Sequence, residues 1–293
     1  MQKKNILINL LKKLSFKFKK KKDIYLIDSD DDKDFLIFYL EEENFLGLDT
    51  EFDWRTTYFP KLSLLQISTS NKIFLIDCVK CKNLNYLKKI LENPKKLIIF
   101  HSSRSDTTVL NTNLNIKITN AFDIQIAEKY IYGGDVKNYG TIVKNYFGIE
   151  LDKSETNSNW LKRPFREDQL SYAAGDVDFL IDIYRKQLKI LNKRKDLNKA
   201  FEDSRREAAL GNEDLYVTRL KKLKKASKNE KDIFLWREKY ASKKNIPPSH
   251  IFKDKYLKQL AKELSTNDLD ERNLFNIFKN NNSAEAFLNE MIK

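Results

Sequence analysis

The chain has 293 residues, 41% of them hydrophobic, which is enough for one large domain or two ordinary ones. It has no apolar run long enough to span a membrane, and it lacks the glycine-rich motifs of dinucleotide and P-loop nucleotide binding. The net charge is +13, but residues 1–22 hold nine lysines and no acid, which leaves +4 for the other 271 residues.

The lysine-rich tail, residues 1–22, has two interpretations. It is either a flexible arm that binds phosphates or the product of a lysine-, asparagine- and isoleucine-rich composition. Its short apolar part is followed at once by lysines, which argues against a secretory signal. Only two cysteines occur, Cys78 and Cys81, so we expect a reduced, cytoplasmic protein and no zinc site.

Three strand-like runs form a meander, and strands then alternate with helices. This order predicts an α/β fold with a mixed sheet flanked by helices. The predicted elements are strand 24–28, helix 33–42, strands 45–53, 62–68 and 73–77, helix 83–92, strand 97–100, helix 105–111, a strand near 117–122, helices 123–132 and 138–147, and one long helix, 167–191.

Only helical periodicity follows residue 196. The basic segment 219–228 is typical of a linker edge, and 230–293 is predicted to be a small all-α domain with a turn at Pro247 and Pro248. We therefore divide the chain into a basic tail (1–22), an α/β domain (23–195), a helical linker (196–229) and a helical domain (230–293).

Two acids stand out in the run FLGLDTEFDW. In a strand, residues two apart share a face, so Asp49 and Glu51 point the same way. Such carboxylates repel each other unless a cation lies between them, and hard divalent ions prefer oxygen ligands. The alternative interpretation is a solvated acidic pair.

Two further acids lie at predicted helix starts. Asp106 follows strand 97–100 in the first turn of the next helix, where α/β folds place ligand groups. The alternative is an acid that the helix dipole stabilises. Asp123 is predicted to be an N-cap, with a second-rank place near the site.

Tyr172 and Asp176 form the motif Y-A-A-G-D on the long helix. A spacing of four places both on one helix face, and the small residues between them allow close packing or leave room for a ligand. The alternative is a core tyrosine beside a surface acid.

Taken together, Asp49, Glu51, Asp106 and Asp176 could hold two divalent ions, Mg²⁺ or Mn²⁺, for an in-line displacement at phosphorus. A phenol has a pKa near 10, so Tyr172 would orient the attacking water instead of deprotonating it fully.

Four motifs occur in order: LDTEF, H-x-x-x-x-D, LDKSE…W-L-x-R-P and Y-x-x-x-D. Over about residues 24–195 the chain thereby resembles ribonuclease D, in the tyrosine branch of the DEDD exonucleases. The resemblance implies an RNase H-like fold, with Asp49, Glu51, Asp106 and Asp176 as metal ligands and Tyr172 as the water-positioning residue. Residues 1–22 lie outside it.

The segment FLWREKYASKKNIPPSHIFKDKYLKQLAKE resembles the helicase-and-RNase-D C-terminal (HRDC) domain, a helical nucleic-acid-binding unit. Bacterial ribonuclease D commonly carries two such domains, and this chain has room for one after residue 210.

Three residues are candidate RNA contacts beyond the metal ligands. Gln66 could border the terminal nucleotide, and Trp160 belongs to the W-L-x-R-P element. Arg163 is the best candidate for a phosphate contact, with an ion pair to an acid such as Glu155 as the alternative.

The leading hypothesis is a metal-dependent 3′→5′ exoribonuclease that releases nucleoside 5′-monophosphates. The family implies tRNA precursors or other structured RNA 3′ ends as substrates, and we expect a monomer. A DNA exonuclease and a non-catalytic RNA-binding protein are the alternatives.

Overall fold

The computed structural model describes residues 22–266 and 271–291. Residues 1–21, nearly all of the predicted basic tail, lie outside the described residues. The chain forms two compact units. The sheet unit comprises the chain up to Asp53 together with Leu62–Asn212, and the helical unit comprises Trp54–Lys61 and Glu213–Lys293. No helix within the described ranges is both long and apolar enough to cross a membrane.

The sheet unit is a six-stranded mixed sheet in the order β1-β4-β3-β2-β5-β6. Strand β4 pairs parallel with β1 and antiparallel with β3, while β5 pairs parallel with β2 and β6. The strands are β1 (Asp23–Ile27), β2 (Phe45–Asp53), β3 (Lys61–Ser68), β4 (Lys72–Asp77), β5 (Leu97–Phe100) and β6 (Ala121–Asp123).

Helices cover both faces of this sheet, as expected for an α/β fold. Their bounds are α1 (Lys33–Glu41), α2 (Tyr86–Leu91), α3 (Arg104–Leu114), α4 (Ile124–Tyr132), α5 (Tyr139–Phe147), α6 (Glu167–Asp178), α7 (Leu180–Arg194) and α8 (Leu197–Gly211). The helical unit contains α9 (Leu215–Leu220), α10 (Lys228–Lys244), α11 (Leu257–Thr266), α12 (Glu271–Ile277) and α13 (Asn281–Met291). The predicted fold class is confirmed.

Strand alternation divides the apolar side chains of the sheet between two cores. Leu46 and Leu48 of β2 face one core, together with Leu65 of β3. Phe45 of β2 and Leu64 of β3 face the other core, which α6 and α7 cover. Residues of β2 in register with Phe45 therefore project towards α6, and this register places the candidate acids.

The prediction of a single long helix over residues 167–191 is wrong, because the helix is interrupted at one position. The chain forms two helices, α6 and α7, which meet at Phe179. The backbone N–H of Phe179 donates to the Tyr139 hydroxyl at 3.2 Å, so a side chain from α5 takes the hydrogen bond that a continuous helix would make internally. Helix α7 then continues to Arg194 and ends at Lys195 in the left-handed conformation, with φ 62°.

Two segments outside the predicted 23–195 domain belong to the sheet unit. Helix α8, within the predicted linker, packs against α3 and β6. Lys22 is 5% exposed, and its Nζ donates to the Asp178 carbonyl at 2.6 Å. The folded sheet unit thus begins at or before Lys22 and extends through α8.

Candidate active site

Three elements of the sheet unit bring acidic side chains towards one region. On β2, Asp49 and Glu51 share the Phe45 side of the strand and are both half-buried. Asp106 lies in the first turn of α3, just beyond β5, and is 3% exposed. Asp176 lies on α6, which packs against β2.

The four carboxylates interact directly. Thr50 Oγ1 donates to Asp106 Oδ1 at 2.6 Å, and the charge of Asp49 acts on the Asp106 carboxyl. The charges of Asp49, Asp106 and Asp176 all act on Glu51. The sequence prediction that these acids cluster therefore matches their placement, while their catalytic roles stay a prediction.

Burial and mutual repulsion raise the pKa values of the cluster. Burial raises the pKa of Asp49 to about 7. Burial, followed by the charges of Asp49 and Asp176, raises the pKa of Glu51 to about 10. The pKa values of Asp106 and Asp176 also lie well above their ordinary range, chiefly because of burial and then because of the Asp49 charge. Such a cluster favours either bound protons or a bound cation.

The four carboxylates form a donor set suited to a divalent ion. Four carboxylates are the oxygen ligands that Mg²⁺ and Mn²⁺ prefer, and burial, followed by their mutual repulsion, raises their pKa values. As they stand, no three Asp, Glu, His or Cys side chains among residues 22–266 and 271–291 are arranged to hold a metal ion. Because burial and neighbouring charges favour the protonated carboxyls, a bound cation would take the place of protons in this cluster. The chemistry of the four carboxylates therefore fits a divalent ion, but their side chains would have to move to coordinate it.

Tyr172 lies one helical turn before Asp176 on α6, and the charge of Asp176 acts on the Tyr172 hydroxyl. Its hydroxyl is also 3.3 Å from Thr156 Oγ1. Burial, followed by the Asp176 charge, raises the pKa of Tyr172, so the phenol keeps its proton at neutral pH. The sequence interpretation missed Thr156, although it lies inside the LDKSE…W motif.

The small residues between Tyr172 and Asp176 differ in their surroundings. Ala173 and Ala174 are buried in the core beneath α6. Gly175 faces open space, since a Cβ there would meet no atom within 4 Å. The alanines thus show close packing, while room for a ligand beside Gly175 stays a prediction.

Arg163 makes a buried ion pair with Asp77, at the end of β4. Its Nε donates to Asp77 Oδ2 at 2.6 Å and its Nη2 to Asp77 Oδ1 at 2.7 Å, while Nη1 donates to the Trp160 carbonyl at 2.6 Å. The alternative interpretation, an ion pair with an acid, is therefore present, but the partner is Asp77 and not Glu155, which pairs with Arg166. A phosphate contact by Arg163 stays a prediction, with all three of its nitrogens already donating within the fold.

Trp160 and Gln66 are both buried. Trp160 is 3% exposed, and its ring centroid is 6.0 Å from that of Tyr172. Gln66 is fully buried, and within the described part of the chain neither of its amide atoms has a hydrogen-bond partner. On the Gln66 face of β3, Ser68 stands against Gly47 of the neighbouring β2. Counting two residues along each antiparallel strand then puts Gln66 opposite Asp49.

Asp123 has a structural role. Its carboxylate accepts from the N–H groups of Ser102, Ser103 and Gln125, at 2.8–3.0 Å. The predicted N-cap is present, and the side chain ties the β5–α3 turn to the start of α4. This contact fixes the turn that precedes Asp106.

Fold and site together define an α/β protein whose carboxylates converge from β2, α3 and α6. Residues 25–192 match the profile of the 3′–5′ exonuclease family, and residues 230–281 match the HRDC domain. The chain belongs to the 3′–5′ exonuclease family, and both resemblances seen in the sequence are confirmed.

Curated relatives carry the name ribonuclease D. The protein from Desulfotalea psychrophila is 32% identical over 231 residues, which cover 74% of this chain and 60% of that protein. The protein from Bartonella henselae is 31% identical over 267 residues, which cover 87% of this chain and 65% of that protein. The chain thus spans less than two thirds of the length of these relatives.

Solved structures share the fold. The chain is similar to the crystal structure of Escherichia coli RNase D, an exoribonuclease involved in structured RNA processing, with a TM-score of 0.77 and 23% identity over 90% of this chain and 72% of that one. The catalytic core of RRP6 from Trypanosoma brucei gives a TM-score of 0.65 and 22% identity over 92% and 78% of the respective chains.

Proposed function

We propose that this protein is a metal-dependent 3′→5′ exoribonuclease that releases nucleoside 5′-monophosphates. The observation that carries the proposal is the convergence of four interacting carboxylates with Tyr172, supplied by β2, α3 and α6. Membership of the 3′–5′ exonuclease family and the ribonuclease D relatives support it.

Asp49, Glu51, Asp106 and Asp176 would hold two divalent ions, Mg²⁺ or Mn²⁺. Bound there, such ions supply an activated water and stabilise the leaving oxygen. The protein contributes a rigid frame for these ligands: Thr50 orients Asp106, and α6 holds Asp176 beside β2. Burial and the repulsion of neighbouring acids raise the pKa values of Asp49 and Glu51, so these carboxyls lose protons as the pH rises and then favour a bound cation.

Tyr172 would orient the attacking water. Because its pKa is raised, the phenol acts as a hydrogen-bond donor and acceptor and not as a base. Thr156 contacts its hydroxyl, and Trp160 packs against its ring.

Trp160, Gln66 and Arg163 would support the site from within the fold. Trp160 and Gln66 are 3% and 0% exposed, which favours a role in holding Tyr172 and Asp49 over a direct contact with RNA. Arg163 would hold the Trp160 loop through Asp77.

The proposed substrates are tRNA precursors or other structured RNA 3′ ends, acted on by a monomer in the cytoplasm. The ribonuclease D relatives support the choice of RNA, and the two free cysteines, Cys78 and Cys81, support a reducing compartment.

The test uses 5′-labelled RNA with and without Mg²⁺ or Mn²⁺, comparing the wild type with Asp49→Asn and Tyr172→Phe. We expect a metal-dependent ladder that shortens from the 3′ end, is lost in the first variant and is slowed in the second. DNA of the same sequence is assayed in parallel. An intact label on bound RNA in every condition would indicate a binding protein, and shortening of DNA alone would indicate a DNA exonuclease.

A further inference from the structure

The segment between β2 and β3, Trp54–Lys61, belongs to the helical unit although it connects two strands of the sheet. We call it the connecting segment. Its Tyr58 is 2% exposed and lies in the core of the helical unit with Ile233 and Phe234. The core of the helical unit is therefore completed by a residue about 180 positions earlier in the chain.

A buried carboxylate holds Tyr58 in that core. The Tyr58 hydroxyl donates to Glu238 Oε2 at 3.1 Å, and Arg219 Nη1 donates to the same oxygen at 2.7 Å. The Glu238 side chain is 1% exposed. A buried carboxylate destabilises the fold unless hydrogen-bond donors surround it. The connecting segment supplies one of the donors to Glu238, the Tyr58 hydroxyl.

Arg219 also covers two aromatic rings of the connecting segment. Its guanidinium carbon lies 5.0 Å from the ring centroid of Tyr58 and 5.6 Å from that of Trp54. Both distances suit a cation–π contact. Arg219 lies in the last turn of α9, so a helix of the helical unit contacts both Trp54 and Tyr58 of the segment.

Asn245 fixes the backbone of the connecting segment. It ends α10 in the left-handed conformation, with φ 50°, and its Oδ1 accepts from the N–H groups of Tyr58 and Phe59, each at 3.1 Å. Within the segment, Trp54 Nε1 donates to the Tyr58 carbonyl at 2.7 Å. Side chain and backbone of the segment are thus both held by the helical unit.

We propose that the helical unit positions the carboxyl end of β2, the strand that carries Asp49 and Glu51, by holding the segment that directly follows it. Asp53 ends β2 and Trp54 begins the held segment, so a covalent bond joins the two. Catalytic groups must be placed to within a fraction of an ångström, and a fixed strand end limits their drift. The consequence for catalysis rests on the proposed function.

The first test measures backbone amide hydrogen exchange in the full chain. Asn245→Gly removes the acceptor while glycine tolerates the left-handed cap. We expect exchange at Tyr58 and Phe59 to rise by about tenfold, as the loss of hydrogen bonds of ordinary strength predicts. Asn115→Gly, at the left-handed cap of α3, is the matched control and should leave these amides unchanged. Glu238→Gln is a second variant with the same expectation.

The second test measures kcat and KM of the same variants on a trinucleotide RNA and on a long RNA. If the helical unit positions β2, kcat falls with both substrates in Asn245→Gly. Unchanged exchange at Tyr58 and Phe59 would overturn the proposal, and so would faster exchange with an unchanged kcat on the trinucleotide. An inactive wild type would refute the proposed function instead, and exchange would still decide whether the segment is held.

Discussion

At the scale of single residues, the four carboxylates dominate the behaviour of the sheet unit. Their raised pKa values mean that ionisation of the cluster lowers the stability of the folded, metal-free protein. A site that binds cations must hold its ligands together before the ion arrives. The stability of the protein should therefore report on the site even when no substrate is present.

The first prediction concerns pH. In the metal-free fold the pKa of Asp49 rises from 3.8 to about 7 and that of Glu51 from 4.5 to about 10. Above pH 4 the folded state then binds more protons than the unfolded state, so the free energy of unfolding falls as the pH rises. We expect Tm in EDTA to decline from about pH 5 to about pH 9.

Glu51→Gln is the control for this titration, because it removes the acid whose pKa burial and the neighbouring carboxylates raise to about 10. It should flatten the decline, and Mg²⁺ should raise the Tm of the wild type more at high pH than at low pH. A Tm that is constant with pH, or that declines equally in Glu51→Gln, would contradict the prediction.

The second prediction concerns Thr156, whose hydroxyl contacts the Tyr172 hydroxyl at 3.3 Å. Thr156→Val keeps the shape and removes this hydrogen bond, so we expect kcat to fall by about fivefold with KM unchanged, in line with one ordinary hydrogen bond. Thr156→Ser should restore the rate. Equal rates in the valine and serine variants would show that the hydroxyl has no such role.

At the scale of elements, local spacing predicted most of the site, and contacts distant in sequence were not predictable. The two-residue spacing of Asp49 and Glu51 and the four-residue spacing of Tyr172 and Asp176 follow from strand and helix geometry. The pairing of Arg163 with Asp77 joins residues 86 positions apart, and no local rule selects that partner. The break at Phe179 was missed for the same reason, since its cause lies on α5.

The third prediction concerns this ion pair. Asp77 is 1% exposed, so Asp77→Asn leaves the Arg163 guanidinium without its buried counter-charge. We expect a loss of about 3–5 kcal/mol in the free energy of unfolding, measured by urea denaturation. Lys144→Gln breaks the exposed pair with Glu150 and should leave the urea midpoint unchanged. Similar midpoints in the two variants would contradict the assignment of Arg163 as a structural tie.

The fourth prediction concerns the contact between α3 and α8. A Cβ on Gly211 would lie 2.5 Å from the Arg104 carbonyl oxygen and 2.9 Å from the Thr108 nitrogen. Gly211→Ala should therefore push α8 from α3 and cost about 1–3 kcal/mol in the free energy of unfolding. Gly175→Ala meets no atom within 4 Å and should instead stabilise α6 by about 0.5–1 kcal/mol. Equal free energies of unfolding in the two variants would contradict the prediction, because they would show that α8 can move away from α3 without a loss of stability.

At the scale of the whole molecule, charge is distributed unevenly. Eight lysines lie in residues 1–21, and Lys22 is tied to Asp178 within the sheet unit. A truncation that tests the tail must therefore keep Lys22, because its loss would disturb the fold near the end of α6. Binding and folding effects can then be told apart.

The fifth prediction is that deletion of residues 1–21 weakens RNA binding and reduces its salt dependence. Each lost phosphate contact should lower the slope of log K against log salt by about 0.7 for single-stranded RNA. Changing the eight lysines to arginine should keep the slope. A slope that survives the deletion would favour the composition-bias interpretation of the tail.

The connecting segment has a consequence for how this protein can be divided and recombined. The HRDC match spans residues 230–281, but Tyr58 and Arg219 are needed to complete the contacts of Glu238. A chimera that exchanged only the carboxyl-terminal third with a relative would join a foreign helical core to this Tyr58. Residues 54–61 and 213–293 fold as one unit. We therefore expect a transplanted helical unit to fold only when both segments are exchanged together.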